Sequence, residues 1–213
     1  HTEPPVWIKG GVIDDDLLRP EIRRVLDHEV KRASSPGVPL AQEAKENATV
    51  IANTPHLVVD AVVERLHLLA RRKVPATPTE LVAGGFSDPV RAFIKNEPHP
   101  QRKTIHGRYR LIASVSLVDE MVERLLFTAQ NKAEIRNFIE TPSMPGMGLT
   151  EEGTQEVMGK VLMHCSGDLT KASEGDVSGF DWSVQEWELR LDAEMRIRLM
   201  GAEADGLAAT IIR

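Results

Sequence analysis

RAFIKNEPHPQRKTIHGRYRLIASVSLVD, residues 91–119, decides the fold class. Phe93-Ile94 and Leu111-Ile112 are short apolar pieces that flank a basic stretch broken by prolines. They predict two strands with a long arm between them, because apolar runs this short bounded by turn residues suit strands better than helices. Most of the chain outward from this segment has a helical pattern. Ser116-Leu117-Val118-Asp119 has the spacing of a capping box and predicts a helix to about Lys132. On the other side, Thr77-Pro78-Thr79-Glu80 is a second capping box, on a short helix that stops at Gly84-Gly85. The expected class is therefore α/β, mostly helical with few strands.

Further out, Thr54-Pro55 places a cap before a proline at the first helical position and opens a helix to about Lys73. Pro20 is expected to open a helix to about Arg32, with Ile22, Val25, Leu26 and Val30 on one face. Residues 1–19, with Pro4, Pro5, Gly10, Gly11 and Asp14-Asp15-Asp16, read as an extended lead-in. Ser34-Ser35-Pro36-Gly37-Val38-Pro39 breaks the chain, since two prolines and a glycine cannot continue a helix. Beyond the arm, Pro142 to Gly148 is a loop, and Thr150 caps a helix to about His164. A short strand is expected at Val177. Ser183-Val184-Gln185-Glu186 caps a last helix that carries Trp187, Leu191 and Met195 inward, with Trp182 and Trp187 as core anchors.

The net charge of −6 conceals two opposed strips. Between Arg91 and Arg110, six basic residues (Arg91, Lys95, Arg102, Lys103, Arg108, Arg110) face only Glu97, giving +5 and leaving −11 elsewhere. Glu174, Asp176, Asp181, Glu186, Glu188 and Asp192 against Arg190 give −5. Such strips suit either a polyphosphate with its metal ions or two solvated faces. At 213 residues the chain is one large domain or two small ones, with no linker long enough to part them. Hydrophobic residues at 41% are enough for a core, and no apolar run is long enough to cross a bilayer. One cysteine, Cys165, excludes an internal disulfide and a cysteine-rich zinc site; it reads as a small core or semi-buried residue in a reducing compartment. No Gly-Lys-Thr phosphate loop, Gly-x-Ser-x-Gly elbow or zinc-hydrolase histidine pair is present. Nine aromatics are too few for a binder of single strands by stacking. Since His1 stands where Met would begin a chain, a processed or excised piece is expected.

Three constellations carry candidate chemistry. Asp176-Val177-Ser178-Gly179-Phe180-Asp181 would present Asp176 at the end of a strand and turn Asp181 back toward it; such oxygen ligands suit Mg²⁺, and a solvated turn is the alternative. Lys95-Asn96-Glu97-Pro98 with Arg102, Lys103, Arg108 and Arg110 suits phosphate oxygens, Arg as a planar two-point donor and Lys as a point charge. A flexible basic loop is the alternative there. Ser34 to Pro39 lets another backbone approach closely, or is a plain turn.

In this order, the three resemble the N-terminal half of a viral RNA-directed RNA polymerase. The nearest resemblance is to the positive-strand plant and fungal viruses that include sobemoviruses, poleroviruses and barnaviruses. Ser35-Pro36-Gly37-Val38-Pro39 is similar to the fingers motif at the template entrance. Lys95 to His99 through Gly107 to Ile112 is similar to the fingers arm over the incoming nucleotide, and Ser114 to Asp119 continues the match. Pro145-Gly146-Met147-Gly148-Leu149 resembles a following segment, and Asp176 to Ser183 the first palm motif. The resemblance spans roughly residues 30–190. It implies fingers over 1–165 and the start of a palm over 166–213, in a right-hand polymerase. The family's later Ser-Gly…Thr segment and Gly-Asp-Asp turn are not in this sequence, so a fragment, inactive alone, is expected.

The resemblance also implies template-directed nucleotidyl transfer with two Mg²⁺ (or Mn²⁺) ions. Asp176 would be the catalytic metal ligand, and Asp181 would read the ribose 2′-hydroxyl. Lys95 and Arg110 would grip the triphosphate, with Arg108 and Lys103 beside them and Glu97 supporting the arm. Ser35 and Gly37 would line the template path. RNA template and product, nucleoside triphosphates and other viral replication proteins are the implied partners, in a replication complex of the host cytoplasm. A non-catalytic RNA-binding or replication-scaffold module that uses only the basic arm is the rival.

Overall fold

The computed structural model describes residues 2–71, 77–144, 150–202 and 206–213, with Asp181 and Trp182 described through their backbone. The chain forms two compact units: one of residues 5–126 and 205–211, the other of 1–4, 127–204 and 212–213. The described residues are mostly helical, with two small two-stranded sheets.

The larger unit begins with a tight hairpin, β1 (Ile8–Lys9) and β2 (Val12–Ile13), pairing Ile8 with Ile13 and Lys9 with Val12. Its two-residue turn is Gly10-Gly11 at φ +59° and +78°. A type I′ turn needs positive φ at both central positions, which glycine adopts without steric cost. Helix α1 (Asp15–His28) follows at once, so 1–19 is not the extended lead-in expected and Pro20 lies inside the helix. The reason is Asp14, whose carboxylate accepts the N–H groups of Asp16 and Leu17 at 3.1 and 3.3 Å. Asp15 and Asp16 then meet the positive end of the helix dipole, which starts the helix upstream of the proline.

Leu18, Ile22, Val25 and Leu26 make the buried stripe of α1, at 1% exposure or less. They sit one and two turns apart on a single face. That stripe packs on α3 (Pro55–Arg71), which buries Val58, Val59, Val62, Val63 and Leu66 and also carries α2 (Asn47–Asn53). Burial of each such side chain stabilises the unit by about 1.5–3 kcal/mol. Thr54, expected to cap α3, donates its hydroxyl backward to the carbonyl of Val50 at 3.3 Å, closing the end of α2. Helix α4 (Pro78–Ala83) has the expected capping box from Thr77 and Glu80.

Next come β3 (Arg91–Ile94), α5 (Gln101–Ile105) and β4 (Leu111–Ser114). The two strands and the arm are those expected from the sequence; the short helix inside the arm is an addition. Helix α6 (Leu117–Arg136) runs on past Lys132 and buries Leu117, Val118, Met121, Leu125 and Leu126. The division between units falls within it, after Leu126, which is why no linker marks it in the sequence. Residues 205–211 complete the larger unit, burying Ala208, Ala209 and Ile211 of the helix Leu207–Ile212.

In the smaller unit, α7 (Glu151–His164) is capped by the Thr150 hydroxyl, which accepts the Gly153 N–H at 3.2 Å. Lys160 of α7 donates to the carbonyls of Ile139 and, at 2.8 Å, Thr141. Helix α8 (Phe180–Ser183) is a single turn, and α9 (Glu186–Leu199) follows it. The expected strand at Val177 is not formed: 172–177 has no ladder partner among the described residues, and an extended segment needs one to pair its backbone. The inward face expected of α9 is also corrected. Trp187, Leu191 and Met195 are 63%, 62% and 48% exposed, while Ile197 and Met200 are buried. The contact of α9 with the end of α6 is largely polar instead. The Gln130 side chain donates to the Arg196 carbonyl at 3.1 Å and accepts from the Arg196 guanidinium at 3.2 Å, and that guanidinium lies 4.7 Å from the centre of the Phe127 ring.

Candidate functional site

The arm grows from the β3–β4 ladder, which pairs Arg91 with Ser114 and Ile94 with Leu111. One further backbone bond, Lys95 N–H to the Arg110 carbonyl at 2.8 Å, sets these two cationic residues opposite each other beyond the strands. The Glu97 carboxylate serves both, 2.7 Å from the Lys95 ammonium and 3.9 Å from the Arg110 guanidinium. Its hydrogen bond from Lys95, and then the charges of Lys95, Arg110 and His99, hold Glu97 below the usual carboxylate range. The tight partner of Glu97 is thus the lysine more than an arginine.

Farther along, His99 packs edge-on against Tyr109 with ring centres 5.4 Å apart. The turn after α5 brings the Arg108 N–H to the Lys103 carbonyl at 2.8 Å. Arg102, Lys103, His106 and Arg108 there line an open cup of about 500 Å³. Among the described residues, Arg102, Lys103 and Arg108 have no carboxylate partner, so the field of the cup is not locally cancelled. Such a cup attracts anions.

Both faces of the ribbon are largely open, and Phe93, Ile94 and Leu111 are 39–52% exposed. A lone hairpin is marginal in water, so its root has to hold it. Arg65 of α3, 8% exposed, sends its guanidinium to Asp119 and, at 3.0 Å, to Asp88. The Asp88 N–H donates to Asp119 at 2.8 Å, and the Ser116 hydroxyl donates to Asp88 at 2.7 Å. Ser116 also accepts the Asp119 N–H at 3.0 Å, the cap expected from its motif. The return half of that capping box is missing, because the Asp119 carboxylate is committed to Arg65, Asp88 and Ser87.

Ser35 and Gly37 meet the same root. The Leu117 N–H donates to the Pro36 carbonyl at 2.8 Å. Gly37, at φ +66°, lies so close that a Cβ there would be 2.5 Å from the Val115 oxygen and 2.7 Å from Ser116 Cα. The backbone that approaches this glycine is the chain's own. Ser35 is half-buried, and its hydroxyl accepts the Gly37 N–H at 3.3 Å. Asn47, fully buried, steadies the turn by donating from its side chain to the Lys31 carbonyl and from its backbone to Ser34. The structure therefore joins two motifs read separately in the sequence, at Ser116.

Asp176 lies in the smaller unit, exposed, three residues before Gly179, whose φ of +68° turns the chain into α8. Asp181 lies on α8, and its side chain falls outside what is described, as do residues 145–149. Mg²⁺ takes one or two carboxylates and fills its remaining positions with water and substrate phosphates. Among the described residues no three His, Cys, Asp or Glu side chains gather to hold a metal ion. Asp176 offers one exposed carboxylate, and the described residues do not make a complete site. Arg65, Asp88 and Asp119 escaped the reading of the sequence; the Ser-x-x-Asp of residues 116–119 was their one visible trace.

A family model described as viral RNA-directed RNA-polymerase matches residues 23–204. The chain is 45% identical to the replicase polyprotein P2AB of Southern cowpea mosaic virus over 187 residues, 87% of this chain and 20% of that protein. It is 48% identical to the corresponding polyprotein of Cocksfoot mottle virus over 174 residues, 80% of this chain and 18% of that one. To the RNA-directed RNA polymerase of Mushroom bacilliform virus it is 39% identical over 201 residues, 90% of this chain and 46% of that protein. The chain thus spans about a fifth of the two polyproteins and under half of the third relative. No solved structure matches.

Proposed function

This chain belongs to the viral RNA-directed RNA polymerase family, and from that premise we propose that it supplies the nucleotide-gripping arm and the first palm carboxylate of a polymerase that copies viral RNA. Residues 1–165 would be fingers and 166–213 the start of the palm. The observation that carries the reading is the placement of Lys95 and Arg110 opposite each other on a ribbon with a buried ionic root. A triphosphate arriving there competes with Glu97 for both cations. Lys95 offers a compact charge and Arg110 a planar fork, which together fit the oxygens of a polyphosphate. Glu97 keeps the two cations from repelling each other while the site is empty of substrate.

Asp176 would hold one of the divalent ions that activate the attacking hydroxyl and neutralise the leaving pyrophosphate; the remaining ligands would come from the rest of the polymerase. Asp181 would face the ribose. Ser35 and Gly37 would border the template, with Gly37 supporting the arm root from behind. The unpaired cup at Arg102, Lys103, His106 and Arg108 favours a second reading, an RNA-binding module, since backbone phosphates also seek such a surface. Nucleotide dependence separates them. In the full-length polymerase, Lys95→Ala and Arg110→Ala should each raise KM for nucleotide by roughly ten-fold or more, since a lost charged hydrogen bond is worth about 1.5–3 kcal/mol. Unchanged nucleotide kinetics with weakened RNA binding would favour the module.

A further inference from the structure

We propose that Arg65 is a positioning residue for nucleotide binding: it clamps both feet of the β3–β4 arm to the core helix α3 and so fixes where Lys95 and Arg110 stand. The inference rests on the reading of the arm as the triphosphate grip. Asp88 lies just before β3, and Ser116 and Asp119 lie just after β4. One guanidinium touches both carboxylates; the Asp119 carboxylate also accepts the Asp88 N–H, and the Asp88 carboxylate accepts the Ser116 hydroxyl. All three charged side chains are at least four-fifths buried. Above this root the ribbon has little packing of its own, so its direction is set at the feet.

The lever is long. Four strand residues span roughly 13 Å at about 3.3 Å per residue. A tilt of about 10° at the root would then move the cations by about 2 Å, enough to break hydrogen bonds to a bound triphosphate, which need donor and acceptor within about 3.2 Å. Without the guanidinium, Asp88 and Asp119 would face each other as two buried carboxylates of like charge. Lysine keeps the charge but lacks the fork that reaches both.

The test uses the full-length polymerase with Arg65→Lys, Lys95→Ala and the double variant. Arg65→Lys is expected to raise KM for nucleotide roughly ten-fold while kcat and RNA affinity stay within about two-fold. Amide hydrogen exchange should quicken in 91–94 and 111–114 and stay unchanged in α1. The double variant should lose less than the product of the single effects, because Arg65 acts through the residue already removed. Unchanged exchange in the hairpin, unchanged KM, or full additivity would overturn the proposal. If Lys95→Ala itself leaves KM unchanged, the triphosphate reading falls and takes the proposal with it, whereas a normal Lys95→Ala effect beside a silent Arg65→Lys refutes Arg65 alone. Should Arg65→Lys fail to fold, Ser116→Ala leaves the guanidinium in place, removes the two hydroxyl bonds to Asp88 and from Asp119 in the same root, and is judged by the same readouts.

Discussion

Replacing Gly37 with alanine tests the contact on which the turn and the arm root depend. Two costs apply. The backbone stands at φ +66°, where an L side chain costs roughly 1–2 kcal/mol. The new methyl would also lie 2.5 Å from the Val115 oxygen and 2.7 Å from Ser116 Cα. Those are backbone atoms tied into the start of α6, so they cannot swing aside as the end of a side chain would. Overpacking of this kind adds roughly 1–3 kcal/mol, for a total of about 2–5 kcal/mol. Gly11→Ala is the control: its φ is +78°, yet nothing lies within 4 Å of the added carbon, so only the backbone cost applies. Urea denaturation followed by tryptophan fluorescence is a suitable assay, because Trp7 is 1% exposed in the same unit while Trp187 is already open to water. Gly37→Ala should shift the midpoint clearly further than Gly11→Ala. Equal shifts would refute the close approach and with it the joining of the two motifs.

Glu97 gives a pH prediction. Its folded-state pKa is lowered, first by the Lys95 hydrogen bond, so its stabilising contribution is complete above the ordinary carboxylate range and is lost as pH falls through the lowered value. Carboxyl carbon NMR should place its midpoint below that of a free glutamate, and Lys95→Met should move it back up; an unmoved midpoint would contradict the pairing. Trp187→Gln should alter stability by no more than about 0.5 kcal/mol, as surface changes do. A loss of several kcal/mol in the same denaturation assay would instead restore Trp187 to the core.

Legibility in the sequence followed the range of the interaction. The caps at Thr77 and Thr150 were readable because donor and acceptor lie within three residues of each other. The β3–β4 pair was readable from two apolar pieces with a breaking arm between them. The start of α1 was misplaced because Pro20 is a louder signal than the aspartate that caps the helix. The apolar spacing of Trp187, Leu191 and Met195 identified a helix face but not what covers it, and that face is open. The ionic root was invisible for a different reason: Arg65 meets Asp119 from 54 positions away, and no local pattern encodes such a contact. Asp176 was found by its motif, while the strand expected to present it is not formed.

The central claim, that this chain contributes catalytic machinery to an RNA polymerase, is tested most directly at Asp176. The measurement is template-directed nucleotide addition by the full-length enzyme carrying Asp176→Asn, with RNA template affinity determined on the same preparation. Removal of a charged metal ligand should leave less than about a tenth of wild-type addition, a loss of more than about 1.4 kcal/mol in transition-state stabilisation, with template binding largely intact. Nucleotide addition above that level by the Asn variant would contradict the account.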